Sequence, residues 1–450
     1  MFNWLLLLII YLPFQIALNP EAFLKSLGAY LGFGVDLASL RVFIVLLFIV
    51  WLMKKIVSRT PIYDNRFKNL QSISLLIFLI LAGFSLIGAE NVFWGIRKII
   101  FFISIFPLYF LVVALFGNWQ NKFDGLTKGI KKIILALVTG SGLIALIGLW
   151  QFFAPFVFGL EKVYRFWAIH IVPVFSGFNF GTLILAYPSW LVNVSGQVIL
   201  RAFSLFSDPH MFSFYLGLIL PLLVVLLGVF RKHLSVLYGL YLLLFIALLL
   251  SFTRGAYAAI IVTFLVLAGL LWRYLGAKKI VLLLGLSLLV FIIPGTPISD
   301  RFYSSFDISE GSNVGRLEMW QQAGQTGLEH FWQGVGLGNY SLVVDATSGY
   351  RNPITAHNLY LDLFSEVGFF ALLVWLIVIL GTIGQLFWKL ARTKKLNKEQ
   401  KYIFIGLIGS LVYFLAHSFF ETSIYSPVVL AVLMVILGMT TVVIKSEGKL

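Results

Sequence analysis

The sequence predicts an all-α integral membrane protein of about twelve transmembrane helices, with a large, partly helical extracytoplasmic loop between helices nine and ten. Three observations carry that expectation. Hydrophobic residues make up 60% of the 450-residue chain and charged residues 11%, where soluble domains carry about 25% charged residues. A folded globule needs a polar skin, so this composition excludes an ordinary cytosolic enzyme, a disordered chain and a secreted disulfide scaffold. Apolar runs near the ~20 residues that cross a bilayer recur along the whole length. Basic residues collect on alternate connections between those runs. Cysteine is absent, which removes disulfides, zinc–thiolate sites and cysteine nucleophiles from consideration.

The candidate spans are 3–18, 38–53, 70–88, 94–116, 132–153, 207–230, 234–251, 256–272, 279–293, 367–387, 402–420 and 424–444. The first lacks a basic n-region and a small-residue cleavage site, so it reads as a retained span and not a signal peptide. Orientation comes from charge. Lys54, Lys55, Arg59, Arg66 and Lys68 follow span two; Lys122, Lys128, Lys131 and Lys132 follow span four. Arg231 and Lys232, then Arg273, Lys278 and Lys279, occupy the next two alternate connections. Lys389, Arg392, Lys394, Lys395, Lys398 and Lys401 follow span ten, and Lys445 and Lys449 the last. These residues are 22 of the 33 Lys and Arg. Lys and Arg accumulate on the cytoplasmic side, so these connections and both termini are expected there. The formal charge of +15 is thereby topological, not the footprint of a nucleic-acid partner. Arg97 and Lys98 at the outer end of span four depart from the pattern.

No repeat, low-complexity tract or soluble domain interrupts the chain, so residues 1–450 read as a single polytopic membrane domain. Residues 154–206, rich in aromatics, Gly and Pro, read as an outer interfacial or re-entrant segment. Residues 294–366 form the large outer loop, the most polar part of the chain, with Pro294 and Pro297 at its start. Loops of that length are functional or disordered, and the apolar and aromatic content of this one argues for order.

Polar residues on the outer face supply the candidate site. Arg201 lies in RAFSLFSDPH (201–210) and Arg254 in SFTRG (251–255), both near headgroup level. Each is open to two readings: an interfacial arginine held by lipid phosphate or by an acid such as Asp208, or a clamp for an anionic ligand built from paired guanidinium donors. Asp208 can orient Arg201, and Pro209 suits the first turn of a helix. After the large loop comes TAHNLYLDLFSEVG (355–368), in which Asn358, Asp362 and Glu366 share one helical face. His357 stands at that helix start, half a turn out of phase with Glu366, which is therefore a poor direct partner. A helix cap with a solvated face is the plainer reading of the same residues. Arg316, in GRLEMW (315–320), is a third outer arginine on an expected helix. The glycine run GVGLG (334–338) lacks dinucleotide-binding spacing and reads as close-packed turn backbone. His417 and Glu421, four apart, are a candidate structural pair, and His210 beside Asp208 a candidate supporting residue. No His, Asp and Glu set has metal-ligand spacing.

Taken together, these motifs resemble the O-antigen ligase and O-antigen polymerase superfamily over most of the chain. The strongest local likeness is AHNLYLDLFSEVG (356–368), supported by RAFSLFSDP, SFTRG, GRLEMW and GVGLG in the family's order. The family often has asparagine where this chain has His210. The resemblance implies transfer of a glycan from an undecaprenyl-diphosphate-linked donor to a glycan, lipid or protein acceptor. That reaction occurs on the outer face of the bacterial cytoplasmic (inner) membrane, in cell-surface polysaccharide biosynthesis, amid membrane lipids. It implies no cofactor, no metal and no nucleic acid. Carried over by position, Arg201 and Arg254 would hold the diphosphate and Arg316 a further phosphate or glycan contact. His357 would activate the acceptor hydroxyl, and Asp208, Asn358, Tyr360, Asp362 and Glu366 would support the site. The chemistry is coherent: fixed cations meet charge developing on a diphosphate leaving group. A histidine of ordinary pKa near 6.5 serves as base for an alcohol, with inversion at the anomeric carbon. A polymerase acting on lipid-linked repeats shares this donor side. A lipid-linked glycan flippase is the competing class, against which stand the lack of repeat symmetry and the gathering of polar residues on one face.

Overall fold

A computed structural model describes residues 1–18, 37–61, 67–116, 123–186, 189–194, 196–230, 232–307, 309–350, 353–393 and 396–445. Arg66, Lys122, Arg231, Lys394, Lys395 and Lys449 of the basic connections lie outside the described residues.

The helices, in chain order, are α1 (Phe2–Tyr11), α2 (Ser39–Val57), α3 (Leu70–Phe84), α4 (Val92–Ile105), α5 (Pro107–Phe116) and α6 (Phe123–Phe158). Short helices α7 (Leu160–Phe166), α8 (Val172–Ser176) and α9 (Phe178–Ala186) follow, then α10 (Pro209–Val229), α11 (Leu234–Leu249), α12 (Arg254–Leu275) and α13 (Lys278–Leu288). The outer loop contributes α14 (Pro297–Tyr303), α15 (Gly311–Glu329) and α16 (Tyr340–Val344). The chain ends on α17 (Leu359–Arg392), α18 (Lys398–His417) and α19 (Pro427–Lys445). Two small antiparallel hairpins, β1–β2 (Ala17–Leu18 with Leu37–Ala38) and β3–β4 (Leu191–Val194 with Gln197–Leu200), are the strands among the described residues. The segment between α6 and α10 is thus three short helices and a hairpin.

Among the described residues eight helical stretches are long and apolar enough to cross a membrane, against the twelve spans expected. They coincide with eight of those spans. The other four expected spans fall on shorter helices or, for α2, on a helix that carries Arg41, Lys54 and Lys55.

Local chemistry sets the helix ends. Asn69 accepts from the Ser72 amide at 2.8 Å and opens α3; Asn397 and Gln400 form a capping box that opens α18. Gly276, left-handed at φ 56°, closes α12. Hydropathy alone does not say which helix is central, but burial does. Within their apolar windows α10 and α19 are 89% buried, whereas α3 and α17 are 39% buried and keep a broad face outward. α10 packs on α11 and α18, α12 on α18, α19 on α5 and α17 on α3. Small residues allow the close approaches: a Cβ at Gly217 of α10 would overlap the Tyr413 ring of α18.

The basic connections meet at one end of the bundle. Lys131 pairs with Glu399 at 2.8 Å, and Lys445 donates to the Lys68 carbonyl at 3.1 Å. Arg201, Arg254, Arg316 and His357 lie at the other end of the helices they adjoin. There α17 is broken near its start. Gly368 takes φ 77° and ψ 178°, and the amides of Val335, Gly336 and Phe369 bond across to Ser365, Glu366 and Phe331 carbonyls at 2.8, 2.9 and 2.9 Å. The glycine run is indeed close-packed turn backbone: a Cβ at Gly334 would overlap the Glu366 backbone, and one at Gly368 the Trp332 carbonyl.

Replacing Gly368 by Ala combines left-handed strain with backbone overlap, at a cost of about 2 kcal/mol or more. The thermal midpoint of the Gly368→Ala protein in detergent is expected to fall by several degrees, while Gly269→Ala, in open space on α12, leaves it unchanged.

Candidate functional site

Five segments converge at the end opposite the basic connections: residues 201–210, the 250–254 turn, the α14–α15 region, residues 353–358 and the 418–426 turn. Among the described residues three of the four non-glycine residues with positive φ lie in these segments: Ser204 at 56°, Phe252 at 49° and His357 at 48°. Sparsely populated backbone of this kind persists where the surroundings over-determine it.

Arg201 is buried and donates to backbone and hydroxyl. Its Nε reaches the Ser251 carbonyl at 2.8 Å, one terminal nitrogen the Ser189 carbonyl at 3.3 Å and the other Thr253 Oγ1 at 2.9 Å. Among the described residues one N–H on each terminal nitrogen stays uncommitted, and no carboxylate is hydrogen-bonded to the charge. Burial and the nearby Arg301 pull its pKa down to about 9. Asp208, expected to orient Arg201, is near enough for its charge to act on the guanidinium but makes no hydrogen bond to it among the described residues. Asp208 caps α10, accepting from the Met211 amide at 2.9 Å and the Ser207 hydroxyl at 2.8 Å, with Pro209 in the first turn. Its reach is fixed by that cap.

Arg254 is the first residue of α12, where the positive end of the helix dipole opposes a cation. Compensation comes from the outer loop: its guanidinium bonds to Glu310 and to the Ser312 hydroxyl, and to the Ser304 carbonyl at 3.2 Å. Arg301 approaches the same Glu310 at 3.5 Å. Arg316, on α15, is half-buried and makes no hydrogen bond among the described residues. Burial lowers its pKa while Glu421 pulls the other way, and Arg254 is a close enough neighbour to repel it. Of the three it is the arginine with none of its donors hydrogen-bonded among the described residues.

His357 precedes Asn358, whose side chain caps α17 by accepting from the Tyr360 and Leu361 amides at 3.0 and 3.3 Å. The left-handed turn swings the ring off the helix axis and onto Glu421, with Nδ1 at 3.1 Å from Oε1. The side chain is 42% exposed, and Nε2 has no hydrogen bond among the described residues. Glu421 is 6% exposed; it also meets His210 Nδ1 at 3.4 Å and accepts from the Thr422 amide at 3.2 Å. Burial alone would raise the Glu421 pKa, but His357, His210 and Arg316 hold it well below the usual carboxylate range. Reciprocally, the Glu421 carboxylate lifts His357 above its ordinary 6.5 against the pull of burial.

Glu421 is the residue that sequence reasoning misassigned. Its expected partner His417, one helical turn away, points into the core instead and stacks on Phe214 at 4.3 Å, with neither ring nitrogen hydrogen-bonded. His210, which the sequence left at the margin, joins the cluster.

Beneath the His357–Glu421 pair, the Asn358, Asp362 and Glu366 face is buried, not solvated, at 5%, 1% and 5% exposure. Asp362 accepts from the Ala356 amide at 2.8 Å and from the Thr422 hydroxyl. Glu366 accepts from the Tyr425 hydroxyl and pairs with Lys98 at 3.6 Å, whose ammonium also lies 3.3 Å from the Tyr425 ring centre. Tyr360 donates to the Leu415 carbonyl at 2.8 Å, and the Leu359 amide to Ser418 at 2.9 Å. These bonds fasten the turn carrying Glu421 to the helix start carrying His357. They also account for Lys98, which the charge pattern left unexplained. Among the described residues no three His, Asp or Glu side chains are grouped as metal ligands.

Residues 239–376 match the family model described as O-antigen ligase. The matched stretch contains Arg254, Arg316 and His357 but stops short of Arg201 on one side and Glu421 on the other. The chain matches no curated protein.

A histidine held by a carboxylate stabilises the fold fully below its ordinary pKa of 6.5, and that contribution fades as pH rises through the elevated native value. Nuclear magnetic resonance titration of His357, assigned by loss of its signal in His357→Asn, is expected to show a midpoint above 6.5 that drops in Glu421→Gln. An unchanged midpoint in that variant would refute the pairing.

Proposed function

Taking the chain as a member of the O-antigen ligase superfamily, whose model its residues 239–376 match, we propose that it transfers a glycan from undecaprenyl diphosphate to an acceptor hydroxyl. The site stands on the outer face of the inner membrane, in a chain of twelve spans with both termini cytoplasmic, the orientation that the alternating basic connections favour. The observation that carries the reading is the His357–Glu421 pair, with an uncommitted Nε2, set among Arg201, Arg254 and the open guanidinium of Arg316.

The parts have complementary tasks. Glu421 accepts from Nδ1–H and so fixes the tautomer in which the Nε2 lone pair faces outward. The acceptor oxygen attacks the anomeric carbon as its proton passes to Nε2. The bond from that carbon to the diphosphate oxygen breaks, and undecaprenyl diphosphate departs with the electron pair. Attack opposite the leaving group inverts the anomeric centre. Glu421 stabilises the imidazolium that forms. Arg316 supplies paired donors to the diphosphate, while Arg201 and Arg254, already anchored, add fixed positive charge where negative charge develops. Burial favours this arrangement, because charges in a dry site interact more strongly than in water. Asp362 and Glu366 act at one remove, by holding the turn that bears Glu421.

Reconstituted with undecaprenyl-diphosphate glycan and a candidate acceptor, His357→Ala is expected to lose about 10²–10⁴-fold in kcat, the range for general-base removal. The wild-type rate should rise with pH through the elevated His357 value, since the neutral imidazole is the active form; Glu421→Gln moves that limb to lower pH. Arg316→Lys keeps the charge but loses the paired donors, so its donor KM should rise. Full activity of a properly inserted His357→Ala protein would sink the assignment. Product mass separates a single transferred block, the ligase outcome, from a ladder of growing chains.

A further inference from the structure

A cavity of about 310 Å³ lies beside the site and takes no part in the chemistry described above. Its walls come from the segment after α1, from the α8–α9 region, from residues 205–211, from Pro353 and from the 422–428 turn. Three of those segments also build the His357–Glu421 cluster. Asp208 is two residues before His210, Pro353 four before His357, and Thr422 follows Glu421 directly. The cavity therefore abuts the cluster.

Its lining is selective. Among the described residues no Lys, Arg or His side chain contributes, and Asp208 adds a carboxyl. A diphosphate would be repelled here and is served by the arginines. What the walls do offer is neutral hydrogen bonding beside aromatic surface. Gln15 Oε1 is buried and has no partner among the described residues, a state that costs stability unless something satisfies it. Ser176 has no hydrogen-bond partner there either. Ser426 Oγ accepts only a long 3.5 Å contact from the Val429 amide. Phe206 and Tyr425 line the same space. The volume sits at the lower end of small-molecule pockets, about 300–1,000 Å³, and so admits a small ring system and not a polymer.

We infer that this cavity is the subsite for a neutral, hydroxyl-rich sugar ring, namely the acceptor end of the transfer, an inference that rests on the glycan-transfer reading above. The assignment to the acceptor follows from charge. The donor sugar is bonded directly to the diphosphate and must stay beside the arginines, whereas the acceptor ring carries no diphosphate and must present its hydroxyl to His357 from a place without cations.

Two variants test it. Gln15→Leu is nearly the same size and removes an unsatisfied amide, so the fold keeps its stability; Ser426→Leu fills the space. With the full-length protein in liposomes, both are expected to raise acceptor KM about fivefold or more while donor KM stays within about twofold. An unchanged acceptor KM in both, or a raised donor KM instead, overturns the inference. In parallel, saturation-transfer NMR with free glucose, galactose and N-acetylglucosamine reads sugar contact directly, and phosphorus line broadening of inorganic pyrophosphate reads the arginines. Wild type should give a sugar signal that both variants lose, with pyrophosphate binding intact. No signal from any of the three sugars, or signals retained in both variants, overturns the subsite. A wild-type protein that binds these sugars, loses them in the variants and yet transfers no glycan upholds the subsite and overturns the transfer reading instead.

Discussion

The end of this molecule opposite the basic connections is organised around one buried negative charge. A carboxylate at Glu421, 6% exposed, is tolerable only if cations surround it, because moving an isolated ionised group out of water costs far more than a fold can supply. His357, whose pKa the pair raises, reaches it directly and Arg316 from further away, while His210, which burial and Arg201 hold toward the neutral form, adds a close ring nitrogen. Each comes from a different part of the chain: the start of α17, the start of α10 and the outer-loop helix α15. Meeting the electrical demand of one side chain thus forces three elements into register, and the histidine that results is oriented and exposed on the side away from its partner.

A second layer keeps that charge in place. Asp362 and Glu366 lie on successive turns of α17 and are tied to Thr422 and Tyr425 of the turn that bears Glu421. Lys98, from α4, closes the lower of these ties. The polar face of α17 is therefore an internal fastening between helices. Loss of one partner would leave a buried charge unpaired, the costly way to break such a contact.

Much of this architecture is legible in the sequence, within limits that have physical causes. Apolar runs mark the spans because the bilayer demands them, and among the described residues eight of the twelve runs fall on helical stretches long and apolar enough to cross. The outer arginines and His357 stand out because the charge rule does not put them there. Lys98 stood out for the same reason, and its partner Glu366 was equally visible, but nothing in one dimension says that α4 and α17 touch. Glu421 is the instructive case. Spacing of one helical turn suggested His417 as its partner. The helix ends at His417, however, and the following turn carries Glu421 away from the core and onto a histidine 64 positions upstream. Local periodicity governs a continuous helix and loses authority at its end. Asp208 shows the converse: its proximity to Arg201 in sequence was outweighed by three residues of spacing to Met211, which made it a cap.

The break at Gly368 has a mechanical consequence. In an unbroken helix the rungs at Ser365 and Glu366 would be filled by amides one turn further along; here their carbonyls accept from Val335 and Gly336 of the outer loop. The site-bearing turns of α17 are thereby coupled to the loop, and the lipid-facing remainder is coupled to the bilayer. A thicker or thinner membrane tilts helices, and tilt of the lower portion meets a discontinuity in the ladder before it meets His357. The end that bears His357 is in effect mounted on the loop between α13 and α17, and is insulated from tilt of the lower portion of α17.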